Sequence, residues 1–501
     1  MALARHAGRP LKNRTLGIHA ARAAVPTYER KALQPGVVHF GVGGFHRAHQ
    51  AVYLEELAER GISNEWGVTG VSLNHSAMRD SLAPQDWLYT LVERGEDGDQ
   101  ARIIGVMGSC LFARQEAAAV LGKLAATETR LVTMTVTGDG YNIDPTTGEF
   151  RHDRPGTLAD LRLPERPSTV IGYIVEGLRL RRDAGLPPFT VLSCDNLPSN
   201  GAVAREAVVS LARLRDPDLA GWIECEGAFP SSVVDRITPK TGEAARRLVL
   251  DDFGIADRWP VVAEPYSQWI IEDHFCNGRP PLDEVGAKFV SDIAPYELTK
   301  KRLLNGSHCA LGYLGYLAGH RRSADAMEEE LIRDYLEATM EDEVSPLLPE
   351  APGMDLAEYR ETLLERFSNP SVGDQLSRLC ARGSTKMPAY LLPSAADAVA
   401  ARRPHSLLAL AVAAWFQYLR GTDAHGASID VEDAQADRLQ GLAQAGGCDP
   451  RPLLQDRSLF GELGESGAFT SEVARSMRSL ERHGPLGTLN ACQRPKLSLA
   501  A

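Results

Sequence analysis

The sequence predicts an α/β protein with a mostly parallel sheet in its first half and a mainly α-helical second half. Three observations lead there. Short β-branched runs alternate with segments of helical spacing over the first half. One of those runs ends in Gly41-Val42-Gly43-Gly44 and opens a helix. Strand candidates then become scarce toward the C-terminus. At roughly 100–200 residues per domain, 501 residues exceed one hydrophobic core. The expected division is residues 1–290 and 291–501.

The first strand is Val37-Val38-His39-Phe40, followed by a helix through Val52 and Leu57 and a second strand over 66–73. Leu131-Val132-Thr133-Met134-Thr135-Val136 is β-branched and stops at Gly138-Asp139-Gly140. Residues 170–182 place apolar side chains at helical spacing until Pro187-Pro188 breaks the pattern. Phe189-Thr190-Val191-Leu192-Ser193 is a further strand, and 202–214 a further helix. Strands separated by helices need crossover connections, which implies a parallel sheet covered on both faces. Later segments (300–319, 326–340, 356–367, 406–420 and 471–482) all have helical spacing.

Composition excludes several classes. Hydrophobic residues make up 44% and charged residues 24%, the balance of a globular chain rather than a disordered one. A net charge of −12 argues against a nucleic-acid partner, which calls for a clustered basic face. The longest apolar run, 407–416, falls well short of the roughly 18–20 residues a membrane span needs. Eight scattered cysteines without a C-x-x-C pair fit free thiols and a cytoplasmic location. Arg5, Arg9, Lys12, Arg14 and Arg22 precede the first acid, Glu29; such a start also fits a transit peptide.

The glycine turn has the strand-to-helix context of a dinucleotide site in a Rossmann-type domain. Gly41 permits the tight turn, Gly43 and Gly44 let backbone approach a pyrophosphate, and the helix start offers N–H groups to the anion. The third glycine of the G-x-G-x-x-G pattern is replaced by His46. Phe45, His46 and Arg47 complete the expected cofactor turn, with His46 and Arg47 as company for a phosphate. His46 and His49 form an H-x-x-H pair, but two histidines do not fill a zinc site, so no metal is expected. At the end of the second strand, Asn74 stands where an acid would bind the ribose hydroxyls of NAD. NAD is the expected cofactor, and NADP is left open.

The segment 295–308 carries Lys300, Lys301, Asn305 and His308. On an ideal α-helix Asn305 and His308 lie about 60° apart and share a face. The same geometry favours Lys301, four residues before Asn305, over Lys300, roughly 140° away.

Four motifs resemble the mannitol dehydrogenase family of long-chain, metal-independent polyol dehydrogenases. They are the turn from Gly41 to Gln50, Ser193-Cys194-Asp195-Asn196-Leu197-Pro198, Val234-Asp235-Arg236-Ile237-Thr238-Pro239, and Lys300-x4-Asn305-Gly306-Ser307-His308. The likeness covers residues 11–474, and it selects Lys300 as the base. It further implies that Asn196 and Asn305 stabilise a developing alkoxide, and that His308, Asp235, Arg378 and Lys386 contact substrate, so that both domains contribute to the site. A lysine base must titrate below its usual ~10.4 to work near neutrality. Amide donors aimed at the alkoxide do what a metal does elsewhere, each worth roughly 3–4 kcal/mol. Without the resemblance, Asp235 and Arg236 read as a surface ion pair, and Arg378 and Lys386 as solvated helix charges. Glu297 reads equally as a neighbour of Lys300 or a solvated first-turn acid.

The implied reaction is hydride transfer between a nicotinamide cofactor and a secondary alcohol of a polyol, such as D-mannitol to D-fructose or D-arabinitol to its ketose. A fructuronate reductase is the alternative within the family, and a non-catalytic dinucleotide-binding regulator the alternative outside it. The stretch around Arg378, and Trp259-Pro260-Val261-Val262-Ala263-Glu264-Pro265, favour the mannitol branch.

Overall fold

The computed structural model describes residues 8–144, 147–423 and 426–492; Arg5 of the basic lead lies outside the described residues. The chain separates into two compact units between Ala294 and Pro295.

The first unit is organised by five parallel strands: β1 Val37–Phe40, β2 Val68–Ser72, β3 Met107–Phe112, β4 Leu131–Met134 and β5 Thr190–Ser193. Their order across the sheet is β3-β2-β1-β4-β5. Val37 sits opposite both Val68 and Leu131, and Phe40 opposite both Val71 and Met134. Strands β1, β4 and β5 are buried along their whole length, which is why they read as continuous apolar runs rather than alternating ones. Val38, Phe40 and Val132 pack against the helices Ala117–Ala125, Val170–Asp183 and Asn200–Arg215. Val37 and Leu131 face the other way, toward the helix Gln50–Glu59 and Trp269. The strands run in one direction, but successive strands are added to one side of β1 up to β3 and to the other side from β4, which makes the β1/β4 junction the switch point where such sheets bind ligands.

Two three-stranded sheets accompany this one in the same unit. Tyr89–Gly95 and Gly98–Ile104 form an antiparallel hairpin, with Val261–Ala263 added in parallel. Gln268–Glu272 lies between Lys288–Val290 and Ser232–Asp235. The hairpin turns at Glu96-Asp97, with Gly95 paired to Gly98, so the two loop positions lack the Asn-Gly or Asp-Gly pair that marks such a turn in sequence.

In the second unit the helix Ser406–Leu419, which holds the long apolar run, packs against Gly306–Leu317 and Gly467–Cys492. It is a core helix, and among the described residues no helix is long and apolar enough to cross a membrane. Gly312 and Gly315 allow the short helix Leu376–Cys380 to lie close. A Cβ on Gly312 would stand 3.0 Å from the Leu379 Cβ, and one on Gly315 3.1 Å from a Leu376 methyl. This contact docks the segment carrying Arg378 onto the helix carrying His308.

Beneath the first sheet, buried Glu55 accepts from Gly105 N (2.9 Å), Val106 N (2.7 Å) and the Tyr28 hydroxyl (2.8 Å). Burial outweighs these donors and pushes its carboxyl up to about 7 from an ordinary 4.5. A carboxyl raised on folding favours the folded state most at low pH, and that contribution falls as pH rises through the folded value. The stability of wild type relative to Glu55→Gln is therefore expected to fall as pH rises from about 4.5 to 7 and to level off above, as read from thermal midpoints across pH. A difference independent of pH would contradict the shift.

Candidate active site

At the switch point the chain turns at Gly41, whose φ is +98°. A Cβ there would collide with the Thr135 carbonyl at 2.1 Å, so glycine is required both for the turn and for the close approach to β4. The Gly41 carbonyl is held by the Thr135 hydroxyl (2.8 Å) and by His39 Nε2 (3.1 Å). A Cβ on Gly43 would meet the Gly41 carbonyl oxygen at 3.8 Å, an ordinary contact, and no side chain caps the helix Gly44–Ala48. Beside this turn lies a cavity of about 340 Å³, lined by Gly41, Leu73, Asn74, Thr135 and the loop after β4. An exposed glycine backbone next to a cavity at the strand ends fits a dinucleotide, with Gly43 and Gly44 at the pyrophosphate and Asn74 at the adenosine ribose.

His46 and Arg47 differ from the expectation of phosphate company. His46 stacks on His39 at 3.4 Å between ring centroids. Burial, then the neighbouring His39 and Arg47, holds its pKa well below the ordinary range, so it is neutral. The stack explains why the third glycine is dispensable here: the position is filled by a flat ring packed on the strand. Arg47 is enclosed, donating to the Trp259 carbonyl (2.5 Å) and lying over the Tyr89 ring. A guanidinium held this way ties the helix to the sheet that holds Tyr89 rather than meeting a phosphate. His49 bonds to the Gln268 carbonyl (2.8 Å) and stacks with half-buried Phe45. The H-x-x-H pair thus packs into the interior.

At the end of β5, buried Asp195 accepts from Val136 N and Thr137 N, both at 2.9 Å, and from the Tyr141 hydroxyl at 2.7 Å. Thr137 has φ 66° and ψ 165°, a region costly for a β-branched residue, by about 1–3 kcal/mol. Asp195 thereby holds a strained loop against the strand end, and the exposed Asn196 follows it directly. Asp235, at the end of Ser232–Asp235, is buried, and so is Arg236. Arg236 bonds to Glu93 and to the carbonyls of Ala48 (2.6 Å) and Glu264 (2.9 Å). Both groups are interior, unlike the solvated surface pair that the residues alone suggest.

In the second unit Lys300–Asn305 is a π-helix between the α-helices Ala294–Thr299 and Gly306–Leu317. The Gly306 N–H donates to the Lys301 carbonyl five residues back. With turns closed at i+5, Lys300 comes round toward the side of Asn305 instead of lying opposite it, so the α-helical geometry that favoured Lys301 no longer separates the two lysines. Lys300 is 7% exposed. Lys301 pairs with Glu297 one α-turn earlier, so Glu297 has a partner other than solvent. A second π-helix, Met387–Leu391, packs against the first; Pro388 lacks the N–H an α-turn would use.

The half-buried His308 has a solvent-shielded Nε2 without a hydrogen-bond partner among the described residues, and so does the Asn305 Nδ2. Burial, then the charges of Arg378, Arg366, Lys386 and Lys300, pushes the imidazole pKa well below its ordinary value. His308 is therefore neutral, within a ring of cations. Lys386 Nζ donates to the carbonyls of Arg378 (2.7 Å) and Leu379 (3.1 Å), closing the end of Leu376–Cys380; burial lowers its pKa. Arg378 is exposed and forms a forked pair with Asp374 (2.5 and 2.6 Å). Arg366, buried on the helix Leu356–Ser368, escaped the sequence reading because an arginine on an amphipathic helix looks solvated. Among the described residues no three His, Cys, Asp or Glu side chains converge as metal ligands would.

A five-stranded parallel sheet with a glycine turn at its switch point defines a dinucleotide-binding protein. The particular lineage follows from comparison with known sequences. Residues 35–284 match the mannitol dehydrogenase Rossmann domain, and 292–481 the mannitol dehydrogenase C-terminal domain. The chain belongs to the mannitol dehydrogenase family. It is 45% identical to a mannitol 2-dehydrogenase of Neosartorya fischeri over 478 residues, covering 94% of this chain and 95% of the relative. The Pseudomonas fluorescens mannitol 2-dehydrogenase, solved as a ternary complex with NAD and D-mannitol, superposes with TM-score 0.85 at 42% identity, covering 96% of this chain and 99% of that one. A substrate-free D-sorbitol dehydrogenase gives TM-score 0.90 at 35% identity, covering 96% and 100%.

Removing the carboxylate of Asp195 leaves two backbone N–H groups and a hydroxyl without their acceptor. Asp195→Ala is expected to destabilise the protein by about 3 kcal/mol, measured by denaturant unfolding. A loss below about 0.5 kcal/mol would show that the loop is held by other contacts.

Proposed function

We propose that this protein is an NAD-dependent polyol dehydrogenase that interconverts a secondary alcohol of D-mannitol with the ketone of D-fructose, or acts on a close polyol such as D-arabinitol. The observation that supports the reading is the π-helical register over Lys300–Asn305, which brings Lys300 round toward the side of the helix that carries Asn305 and His308. Family membership and the similarity to an enzyme solved with NAD and D-mannitol support it. The mannitol and sorbitol dehydrogenase names of these relatives favour a polyol over a hexuronate. Eight free cysteines support a reducing, cytoplasmic setting.

In this reading Lys300 takes the hydroxyl proton of the alcohol as its carbon gives up a hydride. Bound NAD supplies the hydride acceptor. Asn305, whose Nδ2 has no partner among the described residues, donates to the oxygen as negative charge develops, and Asn196 is assigned the same role. The neutral His308 orients a substrate hydroxyl through its unpartnered Nε2 without adding charge of its own. Asp235 accepts from the polyol hydroxyls, while Lys386 and Arg378 donate to them. Gly41, Gly43, Gly44 and Asn74 hold the dinucleotide, with Phe45 in the same turn.

Lys300→Ala is expected to abolish turnover while dinucleotide binding, followed by nicotinamide fluorescence, survives. Lys301→Ala should change turnover little, because it removes only a pair with Glu297 worth at most about 1 kcal/mol. A lethal Lys301→Ala with an active Lys300→Ala would overturn the assignment of the base. Activity on a panel of mannitol, arabinitol and sorbitol tests the substrate; turnover confined to fructuronate would reject the polyol. Since the donors at the reacting oxygen are amides, prolonged EDTA treatment should leave the rate unchanged. Loss of activity that zinc restores would replace this mechanism with a metal-dependent one.

A further inference from the structure

We infer that the cofactor site accepts a 2′-phosphorylated dinucleotide, NADP, as well as NAD, and that Arg114 and Asn74 hold the 2′ substituent. This rests on the dehydrogenase reading above and deepens it at the adenosine end of the same site.

The end of β2 is where a parallel sheet of this order meets the adenosine ribose. An acid there accepts from the ribose hydroxyls and repels a phosphate. Here the residues after β2 are Leu73, Asn74, His75 and Ser76, with no carboxylate before Asp80. Asp80 itself is neutralised by Arg79 at 3.0 Å. Asn74 lines the cavity, and its Oδ1 accepts from Arg114 Nη2 at 3.3 Å. That bond leaves the Asn74 Nδ2 as a donor, suited equally to a hydroxyl oxygen or a phosphate oxygen.

Arg114 lies two residues beyond β3, the strand next to β2, so adjacent strand ends bring it to Asn74 across 40 residues of sequence. It is exposed and forms no ion pair among the described residues. The other guanidinium of this region, Arg79, is already committed to Asp80 and to Glu116, each at 3.0 Å. Arg114 is thus an available cation, and its forked donors match a phosphate dianion. One acid, Asp139, does line the cavity, from the loop after β4. Strands β2 and β4 are separated by β1, hence by two strand spacings, about 10 Å. Across that distance in water a charge is largely screened.

The test is calorimetric binding of NAD and NADP to the full-length protein, with the kcat/KM ratio for the two cofactors as a second readout. Wild type should bind the two within about tenfold of each other. Arg114→Ala should lower the NADP-to-NAD affinity ratio about tenfold or more, the loss of one charge-assisted contact. Asn74→Asp should move the ratio in the same direction by placing a carboxylate beside the 2′ position. Tight NAD binding with no detectable NADP binding would overturn the inference and leave the dehydrogenase reading standing. A ratio unmoved by Arg114→Ala would overturn the role of that side chain. Failure to bind either dinucleotide would remove the dehydrogenase reading together with this one.

Discussion

The candidate chemistry depends on how the backbone closes its turns between Lys300 and Asn305. An α-helix through this segment would place Lys300 on the far side from Asn305, with Lys301 in its place. The i+5 register inserts an extra residue per turn that brings Lys300 round toward the side of Asn305, and α-helical turns resume at Gly306 before His308. Gly306 also permits a neighbour: a Cβ there would stand 3.2 Å from the carbonyl of Tyr390, in the second π-helix. Two irregular segments thus pack on each other, and the side chains of interest are fixed by that contact as well as by helix geometry.

In the first unit the corresponding constraint is the close passage of Gly41 against β4. Because no side chain intervenes, the Thr135 hydroxyl and His39 both reach the Gly41 carbonyl. The neutral pair His39 and His46 then fills the space between strand and helix. On the neighbouring strand end Asp195 holds Val136 and the strained Thr137. Rigid backbone around a cavity is what a dinucleotide site needs, since ordering cost is met in folding rather than on binding.

Much of this was legible from residues alone. The buried strands were readable as apolar runs, although β3 and the hairpin were not picked out. Gly41, Gly43 and Gly44 were recognisable by their place between strand and helix. The pattern of Lys300, Asn305 and His308 was visible, but spacing on a regular helix pointed to Lys301; only the family likeness pointed to Lys300. Arg47 read as company for a phosphate and Arg236 as half of a surface ion pair, and both are interior, because charge type says nothing of which carbonyls a fold will present to it.

The sequence by itself determined the succession of strands and helices, the turn that only glycine can make, and the kinds of side chain available for proton transfer and hydrogen bonding. These are local properties, set by backbone sterics and by the period of apolar residues. The three-dimensional structure decided the π-helical register between Lys300 and Asn305, the neutrality of His308 among cations, and the meeting of Asn74 with Arg114. Each of those depends on hydrogen-bond register or on residues far apart in the chain, and no periodicity encodes them.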